Sequence, residues 1–158
     1  MRLKIAAAVA VLCLTPSLAH AATSGSLTIN GKVPIVCGVS VAAAPGATNI
    51  SDLSAGNASL LVATVTENCN DPVGYAVTVV GTNSASYTGL FKDSVSGATQ
   101  PFTVSYAGTA VSAATITNVV APANVAKDVR ITYAANSALT GSTGYTYAET
   151  LTFVIVAK

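Results

Sequence analysis

Tryptophan is absent from this 158-residue chain, and charged residues make up only 8% of it. Seven Lys and Arg against six Asp and Glu leave a net charge of +1, so no basic surface for nucleic acid is expected. Aromatic residues are also scarce, at 6%, so the core has to be built mainly from aliphatic side chains. The single histidine is His20.

The first twenty-one residues have the pattern of a secretory signal peptide. Arg2 and Lys4 precede an apolar run over residues 5–14, and Ala19-His20-Ala21 supplies the small residues that a signal peptidase requires. Cleavage is expected after Ala21, with Ala19 as the alternative. The apolar run is too short to cross a bilayer, and no later segment reaches the necessary length, so no membrane span is expected in the mature chain.

Removal of residues 1–21 eliminates the histidine and Cys13, which leaves Cys37 and Cys69. An even pair of cysteines in an exported chain predicts one disulfide. Without histidine the mature chain has no Ser-His-Asp triad and no histidine metal site. Sequence motifs for a Ser-Lys dyad, a nucleophile elbow and a phosphate loop are missing as well. We therefore expect no enzyme, no catalytic residues, no metal site and no cofactor.

Short blocks rich in Val and Thr alternate with Gly, Asn, Ser and Pro, which predicts an all-β sandwich or barrel in one domain. The alanine-rich segments 41–44 and 134–138 are interpreted as loops. Glu67, Asn68, Asn70 and Asp71 resemble a polar turn more than a calcium loop. Two charged pairs, Lys92-Asp93 and Lys127-Asp128, are expected to be solvated turn or edge pairs. The predicted strand blocks are residues 33–41, 60–66, 75–80, 102–106, 115–120, 129–133 and 145–157.

The two ends of the mature chain carry the clearest alternation. Near the N-terminus four residues share one face, with Thr28, Asn30 and Lys32 on the other. A glycine on the apolar face suits a strand whose backbone must approach a crowded partner. Near the C-terminus three apolar residues also share one face. The N-terminal set is Leu27, Ile29, Gly31 and Val33, and the C-terminal set is Leu151, Phe153 and Ile155.

This layout resembles the pilin subunits of the chaperone–usher pathway. The features that carry the resemblance are the glycine-containing N-terminal arm, Cys37, Cys69 at the end of the next long strand, and the alternating final strand. The resemblance implies an immunoglobulin-like β-sandwich that lacks its last strand and is completed by a donor strand from another chain. It divides the chain into a signal peptide (1–21), a donor-strand arm (22–33) and a pilin domain (34–158).

In that reading Leu27, Ile29, Gly31 and Val33 are the donor residues, and Leu151, Phe153 and Ile155 line the acceptor groove. The implied partners are identical or related pilin subunits, a periplasmic chaperone and an outer-membrane usher. The implied destination is a surface fimbrium, reached through the periplasm. Two alternatives remain open: a self-complete secreted β-sandwich that recognises a carbohydrate or a host surface, and a periplasmic enzyme or inhibitor.

Overall fold

A computed structural model describes residues 24–84, 88–111, 115–119, 124–141 and 146–158, with 115–119 as backbone only. The predicted signal peptide lies outside the described residues. The chain divides into two compact units, Met1–Lys32 and Val33–Lys158. In the first unit, residues 24–32 form neither helix nor strand, and all of them are exposed.

The described part of the second unit contains ten β-strands and no helix, and every strand pairing is antiparallel. The all-β prediction is therefore confirmed. Since the described residues hold no helix, they hold none that is long and apolar enough to cross a membrane. The strands are β1 (Cys37–Ala43), β2 (Asn57–Cys69), β3 (Tyr75–Gly81), β4 (Gly89–Asp93), β5 (Thr99–Tyr106), β6 (Thr109–Ala110), β7 (Thr115–Val119), β8 (Val125–Tyr133), β9 (Tyr147–Ala148) and β10 (Leu151–Ala157).

These strands form two sheets. The larger has the order β1-β2-β8-β5-β4-β9, with β6 added to β5, and the smaller has the order β10-β3-β7. Strand β1 therefore forms one edge of the large sheet, and β10 forms one edge of the small sheet. The chain passes from the large sheet to the small sheet through the turn between β2 and β3.

The core lies between the two sheets and follows from the alternation of side chains along each strand. In β3 the inward residues Tyr75, Val77 and Val79 are fully buried. Strands β2, β5 and β8 contribute most of the other buried apolar residues, and Phe153 of β10 packs against this large-sheet cluster. The buried residues form two clusters, and Phe153 packs against both of them. Two antiparallel sheets with buried apolar residues between them are consistent with a β-sandwich.

Three details differ from the sequence-based expectations. Strand β1 continues to Ala43, into the alanine-rich segment 41–44 that the sequence predicts to be a loop. The final block is two strands, because Glu149 between them turns its carboxylate to the backbone N–H groups of Thr82 and Asn83. Strand β4 was not predicted at all. Segment 134–138, by contrast, contains no strand, in agreement with the loop assignment.

Candidate functional site

The outer edge of β10 is open in the described structure, where this strand pairs with β3 alone. Its inward residues Leu151, Phe153 and Ile155 are only half-buried. The inward residues of the neighbouring strand β3 are completely buried. The inward side chains of the edge strand are therefore less buried than those one strand further in. All three predicted acceptor residues lie on this partly exposed edge strand.

Two hydrogen bonds at the ends of β10 show in which direction its main-chain N–H and C=O groups point. The N–H of Thr82 donates to the carbonyl of Thr150 over 3.0 Å, and the N–H of Lys158 donates to the carbonyl of Gly74 over 3.1 Å. Both bonds continue the β3–β10 register. Hydrogen-bonded and non-hydrogen-bonded pairs alternate along an antiparallel ladder. The N–H and C=O groups of the odd-numbered residues of β10 therefore point away from β3, toward the open edge.

The same analysis applies to β1, the edge strand of the large sheet. The N–H of Asn70 donates to the carbonyl of Val36, and the N–H of Ala44 donates to the carbonyl of Val62, both in the β1–β2 register. Odd-numbered residues of β1, such as Val39, therefore direct their main-chain groups away from β2. Val39 is also only half-buried, like the inward residues of β10.

Strands β1 and β10 lie side by side, with Cα atoms that come within 8 Å of each other, but they belong to different sheets and do not pair. We call the space between them the edge groove. Its walls are the inward side chains of β1 and β10, and Cys37, Phe153 and Ile155 pack against the buried cluster at its floor. Each wall offers apolar side chains, and main-chain groups that pair with no strand of the described residues.

The predicted disulfide between Cys37 and Cys69 is present. The two cysteines are directly opposite in the β1–β2 register, with their Cα atoms 4.0 Å apart. They fall between hydrogen-bonded pairs, where cross-strand side chains approach most closely. The disulfide therefore joins the start of β1 to the end of β2, as expected from the positions of the cysteines in the sequence.

The four predicted donor residues are all exposed. Leu27 and Ile29 expose 84% and 86% of their surface, and Val33 exposes 80%. A Cβ atom added to Gly31 would meet no atom within 4 Å. These residues form no strand in the single chain.

Beneath the edge groove lies a buried polar network that the sequence did not predict. Glu67 of β2 is completely buried, and its carboxylate accepts hydrogen bonds from the hydroxyls of Tyr75 (2.6 Å) and Tyr106. The ammonium of Lys127 lies 2.6 Å from the same carboxylate and 5.4 Å from the centre of the Tyr106 ring. Phe153 of β10 stacks on the other side of this network, 6.0 Å from the Tyr106 ring.

Burial of both hydroxyls is the main reason that the pKa values of Tyr75 and Tyr106 are raised well above the ordinary range for tyrosine. The hydrogen bonds to Glu67 raise them further, because an ionised phenol would lose its donor and face a carboxylate. Both tyrosines therefore remain protonated donors over the whole physiological pH range.

Two sequence-based interpretations are wrong at this network. Glu67 lies inside β2 and points into the core, so it is not part of a polar turn. The Lys127 side chain is only 11% exposed, so it is not solvated. Away from the network, Asp93 of the other predicted pair is also buried rather than solvated. The turn itself uses Asp71, which accepts a hydrogen bond from the Val73 N–H, and Asn70, which bonds to Pro34 and Val36. Among the described residues, no group of three or more acidic, histidine or cysteine side chains is arranged to hold a metal.

A separate cleft of about 770 Å³ lies at the other end of the strands, between loop residues 47–54 and 139–141 and the segment 146–149. Phe91, Tyr147 and Asp52 contribute to its lining. Hydrogen bonds from Ser54 engage the Asp52 carboxylate and lower its pKa. The side chain of Asp52 therefore shapes its own loop.

Comparison with known proteins adds no assignment: no family model matches the chain, and no curated protein matches it either.

Proposed function

We propose that this chain is a structural subunit of a surface fimbrium, with an immunoglobulin-like sandwich that is completed by a strand from another chain. The observation that carries the proposal is the edge groove. Its two walls, β1 and β10, both expose part of their inward apolar faces. Both also direct main-chain groups, which no described strand pairs with, toward the space between them. An added strand would cover the apolar residues and satisfy the main-chain groups together.

The arm that would supply this strand is at the N-terminus of the same sequence. Leu27, Ile29 and Val33 alternate with polar residues at the period of a strand, and their side chains are exposed in the single chain. Ten extended residues reach roughly 33 Å, which exceeds the length of the seven-residue strand β10. In this proposal the arm of one subunit inserts beside Leu151, Phe153 and Ile155 of the next.

Insertion of a strand requires a wider space between β1 and β10 than the single chain has. A strand placed between two others needs about 9.6 Å, which is two inter-strand spacings of about 4.8 Å. In the single chain the Cα atoms of β1 and β10 come within 8 Å of each other. The edge groove therefore has to widen by about 2 Å or more where the strands are closest, so insertion moves β1 relative to β10.

Deletion of residues 23–32 tests the proposal. The shortened chain keeps the edge groove but has no arm to donate. Mixed with a synthetic peptide of residues 23–33, it is expected to form a one-to-one complex on size exclusion and to unfold at a higher temperature than without peptide. The intact mature chain is expected to form ladders on gels of unboiled samples.

A peptide in which Leu27 and Ile29 are replaced by Ser serves as the control, since it keeps the main chain but loses the apolar contacts. It is expected to bind far more weakly. If the shortened chain is a stable monomer that binds neither peptide, the sandwich is complete without a strand from another chain. The proposal is then wrong, and the secreted binding module is the better description.

A further inference from the structure

Among the described residues, a continuous set of links connects the two walls of the edge groove at one end. The disulfide joins Cys37 of β1 to Cys69 of β2. Two residues earlier on the same inward face of β2, Glu67 accepts the 2.6 Å hydrogen bond from Tyr75 of β3. Tyr75 is opposite Ala157 of β10 in the antiparallel register. We call Cys37, Cys69, Glu67 and Tyr75 the sheet clasp.

The middle link is the one that crosses from one sheet to the other. Glu67 belongs to the large sheet and Tyr75 to the small sheet, and both are completely buried. A hydrogen bond to a carboxylate is roughly twice as strong as one between neutral groups, and water does not compete for it in a buried site. Lys127 and Tyr106 hold the same carboxylate from the large sheet, so Glu67 has little freedom to follow Tyr75 if the sheets separate.

The clasp also lies directly under the acceptor residues. Tyr75 and Cys69 form the small buried cluster on which Phe153 and Ile155 pack. The Tyr106 ring, which is held by Glu67, stacks on Phe153. At the other end of β1, residues 41–43 are exposed. A change in the distance between the sheets at the clasp would therefore shift the side chains that an inserted strand has to contact.

We propose that Glu67 and Tyr75 are positioning residues for strand insertion: with the disulfide, they set the separation of β1 and β10 at the Cys37 end of the edge groove. This inference rests on the proposed function, because it assigns a role in receiving the strand. The clasp keeps this end of the groove at a fixed width while the rest widens, so an inserted strand is held against Phe153 and Ile155.

The test uses the chain without residues 23–32, of which 24–32 belong to no strand, so that no arm of a neighbouring subunit occupies the edge groove. It carries a spin label at exposed Ser40 of β1 and another at exposed Val156 of β10, introduced as non-natural amino acids so that the disulfide stays intact. Pulsed electron paramagnetic resonance measures the distribution of distances between the two labels. The dissociation rate of a fluorescent peptide of residues 23–33 is measured in parallel. Tyr75→Phe removes only the hydroxyl that bonds to Glu67. Tyr133→Phe is the matched control, a buried tyrosine of β8 that contacts the Phe91 ring.

We expect Tyr75→Phe to broaden the label distances and to speed peptide dissociation about tenfold, as the loss of one charge-assisted hydrogen bond predicts. Tyr133→Phe is expected to change neither. If Tyr75→Phe does not fold, Tyr106→Phe decides, because it removes one of the two groups that hold Glu67 on the large sheet, leaves Lys127 as the other, and keeps the ring on Phe153. The same two changes are then expected, to a smaller extent.

If Glu67 and Tyr75 only stabilise the fold, the variant unfolds at a lower temperature, but its label distances and its dissociation rate equal those of the wild type. That result would show that these two residues do not position the walls of the edge groove. If the wild-type chain binds no peptide, the proposed function fails, and the label distances in the free chain still decide the clasp. If the wild type binds peptide and the variant has unchanged distances, the clasp is wrong and the proposed function stands.

Discussion

At the scale of single residues, Gly89 has the least space for a side chain among the glycines of the described strands. It begins β4 directly opposite Phe102 of β5. A Cβ atom at this position would lie 1.7 Å from the Phe102 ring, which no rotation of a methyl group relieves. The Phe102 ring in turn lies 4.5 Å from the Phe91 ring, so it cannot move aside without disturbing the aromatic group in this part of the core.

Gly89→Ala is therefore expected to lower the free energy of unfolding by about 1–3 kcal/mol, the usual range for overpacking. Urea unfolding followed by circular dichroism measures it. Gly38→Ala in β1 is the control, since a Cβ there meets no atom within 4 Å, and its effect is expected to stay within about 0.5 kcal/mol. Equal stabilities for the two variants would show that the Phe102 ring has another position to occupy.

The burial of Glu67 and its partners in the polar network could not be predicted from its neighbours in the sequence. Glu67 stands among Asn, Asp and Pro, which is local turn chemistry, so its neighbours in the sequence point to the surface. Its partners are Tyr106 and Lys127, which only the pairing of distant strands brings together. One local signal was present: Glu67 has the same parity as Val65 and Cys69, both buried, so the alternation of β2 already places it on the inward face.

At the scale of elements, strands with strong alternation were predictable and short edge strands were not. The block at residues 75–80 matches β3, and those at 102–106 and 129–133 lie within β5 and β8. Strand β4 was missed because GLFKD is too short to show a period and contains two charged residues. The break at Glu149 was missed because it depends on backbone donors near Thr82, almost seventy residues earlier.

The disulfide is the strongest constraint on an individual element, since it fixes the start of the edge strand β1. Replacing both cysteines by serine removes a link that closes a loop with a sequence separation of 32 residues. The chain-entropy model predicts a loss of about 3–4 kcal/mol in the free energy of unfolding. Urea unfolding of the variant and of the wild type, each with and without reductant, measures the loss.

Reduction of the wild type is expected to reproduce the loss seen in the double variant, and reductant is expected to leave the variant unchanged. Agreement between the two would assign the effect to the crosslink. If the oxidised wild type and the variant unfold at the same urea concentration, the crosslink does not restrain the unfolded chain in the way the model assumes.

At the scale of the whole molecule, the edge strand β10 of the small sheet lacks the residue types that usually protect an edge against strand addition. Strand β10 reads LTFVIVA, with no charged residue, no proline and no glycine. Its outward residues Val154 and Val156 are 43% and 53% exposed. Natural sheets guard open edges with Lys, Pro or bulges, because an unguarded edge pairs with other chains. The absence of such guards from β10 fits an edge whose role is to receive a strand.

The N-terminal arm supplies the sharpest test of this view, through two residues that differ only in the face they occupy. Gly31 belongs to the apolar face with Leu27, Ile29 and Val33, and Thr28 belongs to the other. Neither position is constrained in the single chain: Thr28 is exposed, and a Cβ at Gly31 meets no atom within 4 Å. A substitution at either position can therefore affect assembly without disturbing the fold of the subunit that carries it.

Gly31→Leu is expected to abolish the ladder of polymers on gels of unboiled samples, because the new side chain would meet the floor of the edge groove of the next subunit. A one-residue slip does not relieve the clash, since it would bury Thr28, Asn30 and Lys32 in place of the apolar set. That set contributes about 1.5–3 kcal/mol for each large side chain buried. Thr28→Val is the control, with a similar shape on the outward face, and it is expected to polymerise like the wild type. Polymers of Gly31→Leu equal to those of the control would mean that the arm does not insert with this face inward.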